Sequence, residues 1–116
     1  MNRETALMHL IMVALSEAGC IVWRNNTGQA WHGAVIHRAG KQVTLSDSRM
    51  QPYGLCVGSS DLIGVTPDGR FLAIEVKTST GRATAEQRKF IDAVRLKGGI
   101  AGIARSVDEA IALLRG

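Results

Sequence analysis

The sequence predicts an α/β sandwich in which a central mixed β-sheet is flanked by helices. Three observations lead there. Near the N-terminus, Leu7, Leu10, Ile11, Ala14, Leu15 and Ala18 recur at helical spacing. Further on, apolar runs of strand length at Leu62–Val65, Phe71–Val76 and Ile100–Ala104 alternate with two stretches that begin on helix-capping residues. Between the first two runs, Thr66-Pro67-Asp68-Gly69 presets a tight reversal, which makes them an antiparallel hairpin. Strands separated by helices, with one hairpin among them, give a mixed sheet covered on its faces.

The first helix is expected from Arg3 to Ala18, with Gly19 as its stop. Glu4 falls at the end of its buried face, and it is also the acidic residue that a helix favours in its first turn, so two roles stay open for it. Met8 and Met12 lie on the less buried flank. A first strand is expected at Cys20–Arg24, and Trp23 is either part of its core face or exposed. In the long segment that follows, Ala34–His37 and Gln42–Leu45 pair around Ala39-Gly40-Lys41. After the Asp61–Lys77 hairpin, Thr84 and Gln87 form a capping box for a helix from Ala85 to Lys97 that Gly98-Gly99 closes. Ile100–Ala104 is a short buried strand, and Ser106 with Glu109 caps a last helix through Leu114.

Composition sets outer limits. A chain of 116 residues, 46% hydrophobic and 21% charged, is expected to form one ordinary globular domain. No run of about 18 apolar residues occurs, so no helical membrane span is expected. Glu4 and His9 fit a signal peptide poorly. Cys20 and Cys56 are too few for a disulfide framework and lack zinc-ligand spacing, so both are expected as small core residues in a reducing cytoplasm. The histidines His9, His32 and His37 lack acidic or cysteine partners at ligand spacing.

A net charge of +4 favours an anionic partner, and its distribution says more than its total. From Ala18 through Ser46 only Glu and Asp are missing among the charged types, while Arg24, Arg38 and Lys41 are interleaved with Trp23, Asn25, Asn26 and Trp31. Basic residues among aromatics suit a phosphate backbone and an unpaired base. Arg24, Asn26, Arg38, Lys41, Arg82 and Arg88 are therefore the candidate nucleic-acid contacts.

Charged residues in the apolar runs carry the chemistry. Asp61 opens one run, and Glu75 and Lys77 sit at the end of the next. Residues at i and i+2 share a strand face, so Glu75 and Lys77 point the same way, and the hairpin can return Asp61 to their side. Two carboxylates suit a hard divalent cation such as magnesium, with waters filling the remaining positions. An adjacent lysine places positive charge where a phosphodiester would gain negative charge.

Taken in order, Gly58-Ser59-Ser60-Asp61-Leu62-Ile63-Gly64, Ala73-Ile74-Glu75-Val76-Lys77, Glu86-Gln87 and Gly98 through Ser106 resemble the VRR-NUC (virus-type replication-repair nuclease) domain of the PD-(D/E)XK nuclease superfamily. The resemblance runs from Glu4 through Arg24-Asn25-Asn26-Thr27-Gly28 to Arg105-Ser106. It implies a restriction-endonuclease-like sandwich, with Asp61, Glu75 and the Val76 carbonyl as metal ligands and Glu4 approaching the same ion. It also implies Lys77 as catalytic lysine and Gln87 as a supporting catalytic residue. Ser60 departs from the superfamily's proline at a position that shapes a turn. By this resemblance the protein is a cytoplasmic, Mg2+-dependent endonuclease, with Mn2+ as substitute, in a bacterial or phage-infected cell. It would cut branched DNA such as four-way junctions as a homodimer, for which Met8 and Met12 are candidate contacts. Competing readings are a flap- or nick-directed repair nuclease, a catalytically silent DNA-binding module and a protein-interaction domain.

Overall fold

In the computed structural model, which describes residues 2–116, a four-stranded mixed sheet lies between helices, and a two-stranded arm stands apart from it. The order along the chain is α1 (Arg3–Glu17), β1 (Ile21–Arg24), β2 (Gly28–Ala39), β3 (Gln42–Tyr53), β4 (Leu62–Val65), β5 (Phe71–Val76), α2 (Ala85–Leu96), β6 (Ile100–Ala104) and α3 (Val107–Arg115). The sheet runs β1-β4-β5-β6. Its first three strands pair antiparallel, and β6 joins β5 in parallel after the α2 crossover. The expected α/β sandwich on a mixed sheet is thus the architecture found.

Each face of the sheet has its own core. On one side Met8, Ile11 and Leu15 of α1 and Ala110 of α3 pack on Leu62, Leu72, Ile74, Val76 and Ala104. On the other, Ile91 of α2 packs on Ile63, Ala73 and Ala101, with Phe90 and Val94 beside them. Alternation along β5 is what divides its residues between the two cores. Burying a side chain such as Leu72 or Ile74 contributes about 1.5–3 kcal/mol.

The face of α1 differs from the one expected. Met8, Ile11 and Leu15 are its buried residues, whereas Leu10 is 60% exposed. The helix is rotated so that the i, i+3, i+7 row from Met8 meets the sheet, which turns Leu10 and Val13 to solvent. This corrects the placing of Met8 and Met12 at an interface: Met8 is core, and Met12 packs against it. Cys20 is buried as expected, but Cys56 lies exposed in the loop before β4. Trp23 is 45% exposed, because β1 is the sheet's edge strand and α2 does not reach over it.

The arm is the larger departure. The expected short pairing around Gly40 extends into two strands of 12 residues each, Gly28 opposite Tyr53 at its base and Ala39 opposite Gln42 at its tip. None of its residues belongs to either core cluster among the described residues. Its projection gives the molecule extents of 51 × 30 × 29 Å and a radius of gyration of 16.9 Å. A compact chain of this length would have about 13 Å. No helix among the described residues is long and apolar enough to cross a membrane.

Candidate active site

The β4-β5 hairpin assembles the site. Leu62 lies opposite Ile74, so Asp61, one residue before the register starts, comes level with the end of β5. There Asp61 Oδ2 accepts a hydrogen bond of 3.0 Å from the Val76 N–H. Glu75 follows Ile74 on the α2 side of the sheet and is only 2% exposed. Its Oε1 accepts from Gln87 Nε2 at 3.1 Å and lies 3.7 Å from Lys77 Nζ. Lys77, Glu75, Asp61 and Gln87 are therefore drawn to one place.

Gln87 makes the capping contact and a contact to Glu75 at once. Its Oε1 accepts from the Thr84 N–H in the capping box, while its Nε2 holds Glu75. The amide's two ends make this compatible: the acceptor serves the helix and the donor serves the site. At α3 the expected box is altered. Ser106 accepts from the Glu109 N–H, but Glu109 Oε1 accepts from the Arg105 N–H instead of reaching the cap residue.

Electrostatically the site is short of positive charge. Burial first, and then the neighbouring Asp61 carboxylate, push the Glu75 carboxyl up to about 8; Lys77 opposes the shift and the Glu4 charge adds to it. At neutral pH the metal-free site therefore keeps a proton on Glu75, hydrogen-bonded towards Asp61; once both carboxyls ionise that proton is gone, and Glu75 Oε2 is buried with no other hydrogen-bond partner. A buried, unpartnered carboxylate oxygen beside a second carboxylate is the donor chemistry that a hard divalent cation satisfies. Glu4 acts on this site through its charge. No group of three or more His, Cys, Asp or Glu side chains converges at ligand distance among the described residues, so Glu4 is not drawn into the Asp61–Glu75 pair.

The turn before Asp61 is held by a residue that the sequence reading passed over. Asn25 Nδ2 donates to Ser59 Oγ at 2.8 Å and to the Ser60 carbonyl at 2.9 Å, and its N–H donates to the Asp61 carbonyl at 2.7 Å. Ser59 Oγ in turn donates to the Cys56 carbonyl. Gly58, with φ of +84°, lies so close under the start of α2 that a Cβ would come within 2.6 Å of the Glu86 backbone. Asn25 is legible only by its place directly after a strand, where an amide can reach a neighbouring turn. Asn25→Ala is expected to destabilise the fold by about 1–3 kcal/mol, the range for buried groups left unpaired, as measured by urea unfolding.

The candidate DNA contacts separate into two regions. Arg82 and Arg88 line a groove of about 570 Å³ together with Arg105, Ser79 and Thr80. This groove is beside Lys77, since a Cβ at Gly81 would touch the Lys77 stem. Arg105 was not among the expected contacts; its Nη1 donates at 2.6 Å to the carbonyls of Thr78 and Gly81 and fixes the loop after Lys77. Arg24 and Asn26 flank Asn25, at the Asp61 end of β1. Arg38 and Lys41 are instead at the arm's tip, about 40 Å from its base at roughly 3.3 Å per residue.

Comparison with known proteins follows the same lines. Among solved structures, one described as a VRR_NUC domain has a TM-score of 0.61 with this chain at 14% identity, covering 99% of this chain and 97% of its own. A second, described as a VRR_NUC domain protein, is 28% identical over 53% of each chain with a TM-score of 0.44. No curated protein matches. The family model of the VRR-NUC domain matches residues 2–108, which contain the whole sheet, α1, α2 and the start of α3. With its sequence matched over that span and its fold shared with a solved member, the chain belongs to the VRR-NUC domain family.

Proposed function

We propose that the protein is a metal-dependent endonuclease that hydrolyses phosphodiester bonds in DNA, acting on branched DNA such as four-way junctions as a homodimer. The observation that carries the hydrolytic reading is the buried Glu75 Oε2, without a partner beside Asp61. Asp61 and Glu75 would hold Mg2+, or Mn2+ in its place, with the Val76 carbonyl as the further oxygen expected from the family. Such an ion lowers the pKa of water and neutralises phosphoryl charge when bound.

The chain's own residues do the rest. Gln87 fixes the rotamer of Glu75 through Oε1 and leaves Oε2 free. The Val76 N–H does the same for Asp61. Lys77, part-exposed on the site's edge, can donate from Nζ to a phosphate oxygen as charge grows on it. The Arg82–Arg88–Arg105 groove supplies a cationic track for the strand that leads to this point.

The test is a cleavage assay of the full chain with linear duplex, single strands, nicks, flaps and four-way junctions, with and without Mg2+. Junctions are expected to be cut fastest, and chelation should stop all cleavage. Faster cutting of flaps or nicks would move the substrate to repair intermediates, and tight binding without cleavage would make the protein a silent module. In the same series, Arg88→Ala is expected to weaken DNA binding uniformly across sequences and to lower the salt slope by about one.

A further inference from the structure

One face of the arm is made of hydrogen-bonding side chains. His32 lies opposite Arg49 and His37 opposite Thr44. The period of two along each strand, with one irregularity in each, brings Gln51 and Gln42 to the same side. Ala30, Ala34 and Ala39 lie between them and keep this face shallow. The opposite face carries Trp31, Met50, Val35 and Leu45. Charge on the ribbon is one-sided as well. From Gly28 to Tyr53 the cations are Arg38, Lys41 and Arg49, and the single acid is Asp47, at the irregularity of β3 with φ of +51°. The described residues contain one ion pair, Lys77 with Glu75, so no carboxylate holds the arm's cations.

The root of the arm is tied to the candidate active site. Asn25, just before β2, donates from its N–H to the Asp61 carbonyl. Tyr53 lies over Gly28, where a Cβ would come within 2.7 Å of its hydroxyl, and a Cβ at Gly54 would come within 2.6 Å of the Asn26 carbonyl. These close contacts set the ribbon at a fixed place beside Asp61.

We infer that the arm lies in the major groove of duplex DNA beside the cleavage point, with its polar face against the base edges. The inference rests on the nuclease reading above and names the form of DNA that must flank the site. A two-stranded β-ribbon fits a major groove about 12 Å wide, and the twist of such ribbons lets it follow the groove. Arg49 suits guanine O6 and N7, Gln42 and Gln51 suit adenine N6 and N7, and Thr44 suits either. The alanines allow close approach and can meet thymine methyl groups. A single strand suits this face less, because unpaired bases are held by stacking on aromatic rings and Trp31 lies on the other side. From base to tip the ribbon spans about 40 Å at roughly 3.3 Å per residue, about one helical turn of near 10 base pairs. Arg38 and Lys41, at the tip, meet phosphates at the far end of that turn.

Fluorescence anisotropy of the full chain without metal, on blunt duplexes from about 6 to about 24 base pairs, tests this apart from cleavage. Affinity should climb until the duplex reaches about 12 base pairs and level off beyond it. Arg49→Ala with Thr44→Ala should raise Kd for the longer duplexes at least about tenfold and abolish the climb. Val35→Thr with Val43→Thr, on the other face, should leave both unchanged. None of these residues belongs to a core cluster, so an unchanged melting temperature checks that each variant is folded. Dimethyl sulfate should find guanine N7, in the major groove, protected over that turn and adenine N3, in the minor groove, reactive. Affinity indifferent to the polar-face variant, affinity lost with the apolar-face variant instead, or protection of adenine N3 alone would overturn the inference and leave the nuclease reading standing. Arm-dependent binding without cleavage in Mg2+ would uphold the inference and overturn that reading.

Discussion

Glu75→Gln is expected to abolish cleavage and to stabilise the metal-free protein at neutral and alkaline pH. The substitution keeps the side chain's shape, its packing against α2 and an acceptor for Gln87 Nε2. What it removes is an almost fully buried carboxyl whose ionised form is repelled by Asp61 and Glu4 and only partly offset by Lys77 at 3.7 Å. For cleavage that charge is indispensable under the proposed mechanism, and its loss should lower the rate by roughly a thousandfold or more, as removing a preorganised charge-stabilising group does elsewhere. For stability the carboxyl is a burden, since above about 4.5 the folded chain must keep a proton that the unfolded chain releases, and above about 8 it buries an unpaired carboxylate, whereas a neutral amide incurs neither cost. DNA affinity should hold or improve, because a carboxylate near phosphate is gone. Cleavage rates, binding by fluorescence anisotropy and thermal melting on one preparation separate the three effects. Cleavage within about tenfold of the unaltered protein would sink the catalytic assignment. Lys77→Ala is a useful contrast: it should also cut the rate strongly, but it removes the partial counterion of Glu75 and should destabilise the protein.

Much of this architecture was legible because local and tertiary signals agree where the core is. The Pro67-Asp68-Gly69 reversal, the alternation in Phe71–Val76 and the Thr84 cap each specify an element by short-range chemistry, and these elements position Asp61, Glu75, Lys77 and Gln87. The rest depends on what sits next to what. Leu10 and Met8 are equally apolar in a helical pattern, and only the sheet beneath α1 decides which is buried. Asn25 lies in the Arg24–Gly28 run that carries part of the family resemblance, but its hydrogen bonds are to two serines 34 and 35 positions away, which no local signal discloses. The arm was legible only at its turn, because its strands lack a core to impose strict alternation and contain two register shifts. Glu4 is an intermediate case, readable as near the site but not as a member of the carboxylate pair.

Metal-free protein should lose stability as pH rises from about 4.5 to about 8, and divalent cation should reverse the loss. The sign follows from Glu75. Its carboxyl is raised from the ordinary 4.5 to about 8 in the folded chain. Between those values the folded protein keeps a proton that the unfolded chain has released, so each step up in pH favours unfolding. The contribution is fully present below 4.5 and is lost as pH passes 8. Across the window it is on the order of a few kcal/mol, which corresponds to roughly 10 °C in Tm for a domain of this size. Two other shifted groups fall outside the window: Asp68, held low by its hydrogen bond from Thr66, titrates beneath it, and Cys20, raised by burial, titrates above it. Glu75→Gln should therefore flatten the Tm profile between pH 5 and 8. Mg2+ should raise Tm more at pH 8 than at pH 5, because at pH 5 the ion must displace the proton on Glu75. Equal Mg2+ effects at both pH values, or an effect that survives Glu75→Gln, would place the ion somewhere other than beside Asp61 and Glu75.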